Sequence, residues 1–296
     1  MVAVGSQKRG SVITGIGDDS SVLRPPAGHE LLVTTDFSLE AVHFRREWHP
    51  PESVGHRCLI RGLSDIAAMG GRPLAIFLSL ALPADLPQSW VDRFYSGLLK
   101  LARHHGATLA GGDTAQSPSG VLADIMVVGS VPRGHAVLRS GAGPGDHIFV
   151  TGKLGLGGAS VRRLYAGERL RPVGAYFYPK PQLEVGAKLR GLASAMIDIS
   201  DGLSTDLANI CEESRVSAVI NQTAVPIART ATLEDALHGG DDYELLFTSS
   251  KHVPKEIAGV PITQIGEVVK GSSVQIRGAN GKATRLKPLG WQHFSH

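Results

Sequence analysis

Apolar runs alternate with Gly- and Asp-bearing breaks along the whole chain. In ELLVTTDFSLEAVHF, Leu31–Thr34 reads as a strand that ends in Thr35 and Asp36, because apolar and β-branched residues give way to polar ones. SVGHRCLIRGLSDIAAMGG reads as a helix closing on Gly70 and Gly71, with Pro73 beyond the stop. PLAIFLSLALP is apolar throughout and bounded by prolines, the pattern of a buried strand. The clearest helix is SWVDRFYSGLLKLARHHG, where Val91, Phe94, Tyr95, Leu98, Leu99 and Ala102 share one face and Gly106 supplies the stop. ATLAGGDTAQSP reads as a short strand running into a Gly-Gly-Asp-Thr loop, and LADIMVVGSV as a further strand. In LRSGAGPGDHIFVTGKLG the Ser-Gly-Ala-Gly-Pro-Gly segment is the best boundary, dividing the chain into domains 1–140 and 141–296. A strand His147–Thr151, a Gly-rich turn and a helix follow. In MIDISDGLSTDLANI a strand Met196–Ile199 delivers Asp198, Ser200 and Asp201, Gly202 turns the chain, and Leu203, Leu207 and Ile210 mark a helix face. Both halves are mixed α/β (α+β), without a strict repeat.

Composition narrows the function classes. The chain has 296 residues, 42% hydrophobic and 19% charged, enough for one large or two medium cores. Net charge is +3 from 30 basic and 27 acidic residues, with the basic residues scattered, so no nucleic-acid partner is expected. At 5% aromatics, no base-stacking platform is expected either. Cys58 and Cys211 lie far apart in apolar helical contexts and read as buried thiols; no Cys/His spacing argues for zinc or a redox pair. The start MVAVGSQKRGSVITG has no long apolar core and so is not read as a signal peptide. No apolar run approaches the roughly 18 residues of a membrane span, so a cytoplasmic location without membrane partners is expected.

The candidate chemistry is acidic. Asp18 and Asp19 in GIGDDSSV, Asp36 in TTD, Asp65 in LSDIAAMG, Asp113 in GGDT, and Asp198 and Asp201 in IDISDG all follow apolar stretches. Buried carboxylates are costly unless a cation neutralises them. Hard oxygen ligands at this density suit magnesium, which takes one or two carboxylates plus water and substrate phosphate; the lack of a His/Cys cluster counts against zinc. Each motif alone has a plainer reading: Asp beside Gly as a turn residue, Asp65 paired to Arg61 four residues back, GGDT as a simple turn. The inference rests on their co-occurrence. TGKLGLGG is not a GxxxxGK[ST] loop, and no HRD or DFG is present, so phosphoryl chemistry here would use a scaffold led by acidic metal ligands.

GIGDDSSVL, TTDFSLEAVHF, LSDIAAMGGRPLAIFLSLALP, GGDT, LRSGAGPGD, MIDISDGLSTDL, GGDDYELLFT and GWQHF, in that order over nearly the whole chain, resemble the thiamine-monophosphate kinase family. That family is grouped with aminoimidazole ribonucleotide synthetase, selenophosphate synthetase and a hydrogenase maturation protein. The resemblance implies a two-domain aminoimidazole ribonucleotide synthetase-like fold. Its N-terminal ATP- and magnesium-binding domain pairs sheets in a homodimer, with ATP near that interface, and its C-terminal domain completes the substrate site. The implied reaction moves the γ-phosphoryl of ATP in line to thiamine phosphate, assisted by several Mg ions, giving thiamine diphosphate. Carried over by position, Asp19, Thr34, Thr35, Asp36, Asp65, Asp113, Asp198 and Asp201 resemble magnesium ligands. Gly112, Asp113, Arg139 and Ser200 resemble nucleotide contacts. Tyr95 is a candidate for the adenine, or for core packing. His43 and Trp291 resemble substrate contacts, joined by Asp241, with Glu244 as the alternative; His43 as a structural histidine and Trp291 as packing for the tail stay open.

An acceptor phosphate oxygen with a second pKa of about 6 is already ionised and needs no general base. What it needs is relief from charge repulsion, to which Arg139 would add, so no catalytic acid or base is expected. Two departures stand out: Asp241 replaces the family's usual Glu, and only fourteen residues precede Gly15, which would leave part of the dimer surface or site uncovered. Two other readings remain: a sibling enzyme of the superfamily, or a nucleotide- and magnesium-binding protein without turnover.

Overall fold

The computed structural model describes residues 10–292 and 294. The first nine residues, on which the reading of the N-terminus partly rests, and His293 of GWQHF lie outside the described residues. The chain divides into two compact units: Met1–Ile66, Gly71–Gly134 and Arg169–Lys180 form one; Ala67–Gly70, His135–Glu168 and Pro181–His296 form the other.

In the first unit, a small hairpin of β1 (Val12–Thr14) and β2 (Val22–Leu23) precedes a four-stranded sheet. The sheet comprises β3 (His29–Leu39), β4 (Arg72–Pro83), β5 (Thr108–Ser117) and β6 (Leu122–Pro132), in the order β3-β6-β4-β5. Only β4 and β5 run parallel, and the connection between them is α2 (Gln88–His104), as a parallel crossover requires. One face is covered by α1 (Pro51–Ala68). Gly62 permits the approach, because a Cβ there would stand 2.5 Å from Val127 Cγ2 and 3.5 Å from Thr34 Cγ2. Residues of β3 alternate accordingly. Leu32 and Ser38 are buried, while Leu31, Val33 and Phe37 on the opposite face are 48%, 61% and 55% exposed. Met126, paired with Thr35 across β6, extends that apolar face.

Two sequence expectations are corrected here. The strand beginning near Leu31 does not end at Asp36 but runs on to Leu39, because β6 pairs with it along its full length. GGDT is not a loop but lies inside β5, an edge strand that tolerates glycine and polar residues on its open side. Asp65 stands in the last turn of α1, inside the helix expected from SVGHRCLIRGLSDIAAMGG.

The second unit is built on an eight-stranded sheet. Its strands are β7 (His147–Thr151), β8 (Ala195–Ile199), β9 (Ser217–Asn221), β10 (Glu244–Ser249), β11 (Glu256–Ile257), β12 (Val260–Val269), β13 (Val274–Arg277) and β14 (Ala283–Arg285). The order is β14-β13-β9-β12-β7-β10-β8, with β11 on β12. Four helices accompany it: α3 (Leu156–Tyr165), α4 (Leu183–Leu189), α5 (Leu203–Ser214) and α6 (Leu233–His238). As the apolar spacing predicts, Leu203, Leu207 and Ile210 are fully buried in a core shared with Ile197, Ile199 and Leu246. Each such side chain contributes roughly 1.5–3 kcal/mol by leaving water.

Both cysteines are buried. Burial pushes the Cys58 thiol up to about 12 and the Cys211 thiol up to about 11. Since the thiolate is the reactive form, native protein at pH 8 should react negligibly with an aromatic disulfide reagent, and denatured protein should titrate two thiols. Rapid labelling of the native protein would contradict this placement.

Candidate active site

The first unit gathers oxygen donors on two surfaces. On the helix-covered face of β3, the alternation puts Thr34 and Asp36 together and turns the side chain of Thr35 to the opposite face. The Thr34 hydroxyl donates to Asp65 Oδ2 from α1. Arg61, one turn earlier on that helix, places Nη1 3.9 Å from Asp36 Oδ1. Asp19, Tyr95, Gly112 and Asp113 line a cavity of about 930 Å³, together with Gln88 and Val91 of α2. Val91 and Tyr95 therefore face this cavity, and the buried stripe of α2 is Phe94, Gly97, Leu98, Leu101 and Ala102. These acids are locally tied: Asp18 Oδ1 accepts from Asp19 N at 3.0 Å and Asp113 Oδ1 from Thr114 N at 2.8 Å. His43 closes the turn after β3. Its Nδ1 accepts from Leu39 N at 3.0 Å, which puts the ring proton of a neutral imidazole on Nε2.

In the second unit, four segments meet at the end of β8. Asp198, paired with Leu245 of β10, is 3% exposed. Beyond it, Ser200 O accepts from Asp241 N at 2.8 Å, Ile199 O from Tyr243 N at 2.9 Å, and Asp201 O from Trp291 N at 3.0 Å. One short loop thus holds Ser200, Asp201, Asp241 and the half-exposed Trp291 side by side. Asp206, in the first turn of α5, accepts from the backbone N–H of Asp201 and Gly202 at 3.3 and 3.1 Å. Burial, reinforced by Asp198 and Asp201, pushes its carboxyl up to about 8. Crowding of this kind is what a cation relieves. Asp242 Oδ2 and Oδ1 accept from Gly155 N and Gly157 N at 2.6 and 3.2 Å, the free donors at the start of α3. Burial pushes Asp242 up to about 7.

Arg139 is not brought to this loop. Its carbonyl accepts from Ser214 Oγ at 3.0 Å, at the far end of α5, which is about 18 Å long at 1.5 Å per residue. Among the described residues, no three His, Cys, Asp or Glu side chains converge closely enough to hold a metal ion alone. The two donor sets nevertheless suit magnesium in kind, since they offer the carboxylate and hydroxyl oxygens that it prefers.

The family profiles "AIR synthase related protein, N-terminal domain" and "AIR synthase related protein, C-terminal domain" match residues 17–131 and 143–278. The thiamine-monophosphate kinase of Synechococcus elongatus is 34% identical over 299 residues, covering 94% of this chain and 91% of the relative. This chain belongs to the thiamine-monophosphate kinase family. Among solved structures of the family, the thiamine-monophosphate kinase of Stenotrophomonas maltophilia K279a superposes with a TM-score of 0.84 at 34% identity, covering 94% of this chain and 93% of that one. A ThiL protein complexed with AMPPCP and TMP gives 0.81 at 32% identity, covering 92% and 89%. Among the described residues of this family member, no helix is long and apolar enough to cross a membrane.

Sequence reasoning missed Asp206 and Asp242. The signal for Asp206 was the third acid of the DISDGLSTD run; for Asp242 it was the doubled acid in GGDD. Glu244 lies at the start of β10, where Thr151 Oγ1 and Gln182 Nε2 donate to its Oε2, the latter at 2.9 Å. Burial pushes Glu244 up to about 7 from an ordinary 4.5. The folded state therefore holds a proton that the unfolded chain releases above about 4.5, so this group's contribution to stability falls as pH rises from about 4.5 to about 7. Glu244→Gln removes that titration. Its thermal midpoint, followed from pH 4.5 to 7.5 without metal, should lose a visible part of the decline, with Asp206 and Asp242 supplying the remainder. An unchanged slope would show that Glu244 is ionised throughout.

Proposed function

We propose that this chain transfers the γ-phosphoryl group of ATP to thiamine phosphate, giving thiamine diphosphate and ADP by direct in-line displacement. The observation that carries the reading is the family relation, including a relative of the same fold that holds AMPPCP and TMP. The acceptor is a phosphate oxygen, largely ionised at neutral pH, so the site needs no general base. Its task is positioning and charge neutralisation. Asp19, Thr34, Thr35, Asp36, Asp65 and Asp113 in the first unit, and Asp198 and Asp201 in the second, would hold magnesium. When bound, magnesium neutralises the phosphates and orients the nucleophile against them. Thr35 is assigned less to its side chain than to its backbone, since that side chain faces away from Asp36. The cavity beside Tyr95, Gly112 and Asp113 suits a purine ring on its apolar wall and metal-bound phosphate at Asp19 and Asp113. Ser200 would contact the nucleotide, and His43, Asp241 and Trp291 the thiamine moiety. An indole face beside a carboxylate matches a flat, cationic heterocycle.

The working form is a homodimer in the cytoplasm. The support is the apolar face of Leu31, Val33, Phe37 and Met126, which one copy of the chain leaves open to water. By role we divide the chain into 1–140 for nucleotide, magnesium and dimerisation and 141–296 for completion of the substrate site, bounds that differ from those of the two compact units. The test is ADP release by purified protein with ATP, with or without thiamine phosphate and with or without a magnesium chelator. Release should require both thiamine phosphate and magnesium; equal release without thiamine phosphate would identify a plain ATPase instead.

A further inference from the structure

Two consecutive odd positions of the second unit carry an unusual backbone. Asp241 and Tyr243 have φ of +64° and +54°, a left-handed conformation that residues with a Cβ seldom adopt. Such strain persists only where the surroundings fix it, and it clusters at functional sites. Here both N–H groups are pinned to the Ile199–Ser200 carbonyls. One further bond closes the arrangement: the Tyr243 hydroxyl donates to Asp241 Oδ1 at 2.6 Å. Tyr243 is 1% exposed and its ring is among the largest fully buried side chains, so the phenol approaches from a rigid wall, whereas Asp241 is only half-buried.

We infer that Tyr243 is the positioning residue that aims the Asp241 carboxylate at the thiamine phosphate, and that it thereby sets affinity for that substrate alone. The inference rests on the assignment of Asp241 as a substrate contact. An aspartate has two side-chain torsions, and at a left-handed position its rotamers are restricted further. A buried hydroxyl bonded to one oxygen restrains the carboxylate's orientation from a rigid wall. A cationic or amino-bearing ring then meets a preorganised acceptor, which reduces the ordering cost of binding.

The test is steady-state kinetics on the full-length protein with magnesium, varying ATP and thiamine phosphate separately, for Tyr243→Phe, Asp241→Asn and the double variant. Phe fills the same buried space as Tyr, and a thermal melt of each variant accompanies the assay. The expected result is a KM for thiamine phosphate raised about tenfold in Tyr243→Phe, with kcat and the KM for ATP within twofold of the parent. In the Asp241→Asn background the further change to Phe should alter nothing, since Tyr243 acts through that carboxylate. If Asp241→Asn raises the KM for thiamine phosphate while Tyr243→Phe does not, the positioning role is overturned and the assignment of Asp241 stands. If Asp241→Asn leaves that KM unchanged, the assignment falls and takes the positioning role with it. Equal, additive losses toward both substrates would show Tyr243 to be a packing residue and overturn the inference.

Discussion

Asp36→Asn should yield a folded protein whose turnover is lower by at least about 10²–10³-fold, the usual loss when one preorganised charge-stabilising group is removed. Asp36 lies mid-strand on the face of β3 that also carries Thr34, with Asp65 reaching the same face from α1. Its partner Arg61 stands at 3.9 Å, and the Asp36 side chain is 34% exposed, so the fold loses at most about 1 kcal/mol with this loose pair. An amide keeps the shape and one acceptor oxygen but lacks the charge that would hold magnesium against a triphosphate. Measured kcat should collapse while the thermal midpoint moves by only a few degrees. Retained turnover would show that the metal-holding acids of the first unit are others.

Gly157→Ala should fail through the backbone. A Cβ at Gly157 would stand 2.0 Å from Gly240 O and 3.2 Å from Asp241 C. No rotamer change relieves that contact, because the opposing atoms are main chain. Nor is Gly240 free to retreat, since its own position brings a built Cβ to 2.5 Å of Ser200 O. Three backbone segments are stacked here, at the start of α3, in the GGDD loop and at the end of β8. Overpacking of side chains costs about 1–3 kcal/mol; with backbone on both sides the upper end, ~3 kcal/mol, is expected. For a unit of this size that lowers the melting temperature by roughly 6–12 °C. Displacing α3 also pulls Gly157 N from Asp242, so activity should fall beyond what stability explains. Gly143, with nothing within 4 Å of a built Cβ, provides the control: Gly143→Ala should melt and turn over like the parent. A Gly157→Ala protein that melts with that control would refute the stacked-backbone account.

The part of this site most legible from the residues was the IDISDG segment. Its apolar positions demanded burial, its glycine marked the turn, and Leu203, Leu207 and Ile210 announced the helix, all of which β8 and α5 reproduce. The acids were recognisable as a set because they recur after apolar stretches. What local pattern misjudged was their setting. Thr35 and Asp36 look like a strand end because they are polar, yet an eleven-residue ladder with β6 carries the strand through them. Gly111, Gly112 and Asp113 look like a loop, yet an edge strand accommodates them. Asp206 and Asp242 were passed over despite those signals, because their roles depend on partners brought by tertiary structure: the Asp201 and Gly202 amides for one, the amides opening α3 for the other. Arg139 was matched by motif, but where its backbone sits is decided by Ser214, seventy-five residues further on.

The most direct test of the central claim is phosphorus NMR of the purified protein incubated with ATP, magnesium and thiamine phosphate. The prediction is that thiamine diphosphate and ADP appear together in equal amounts as thiamine phosphate and ATP disappear. Binding of ATP without any thiamine diphosphate, or ADP accompanied only by inorganic phosphate, would contradict it.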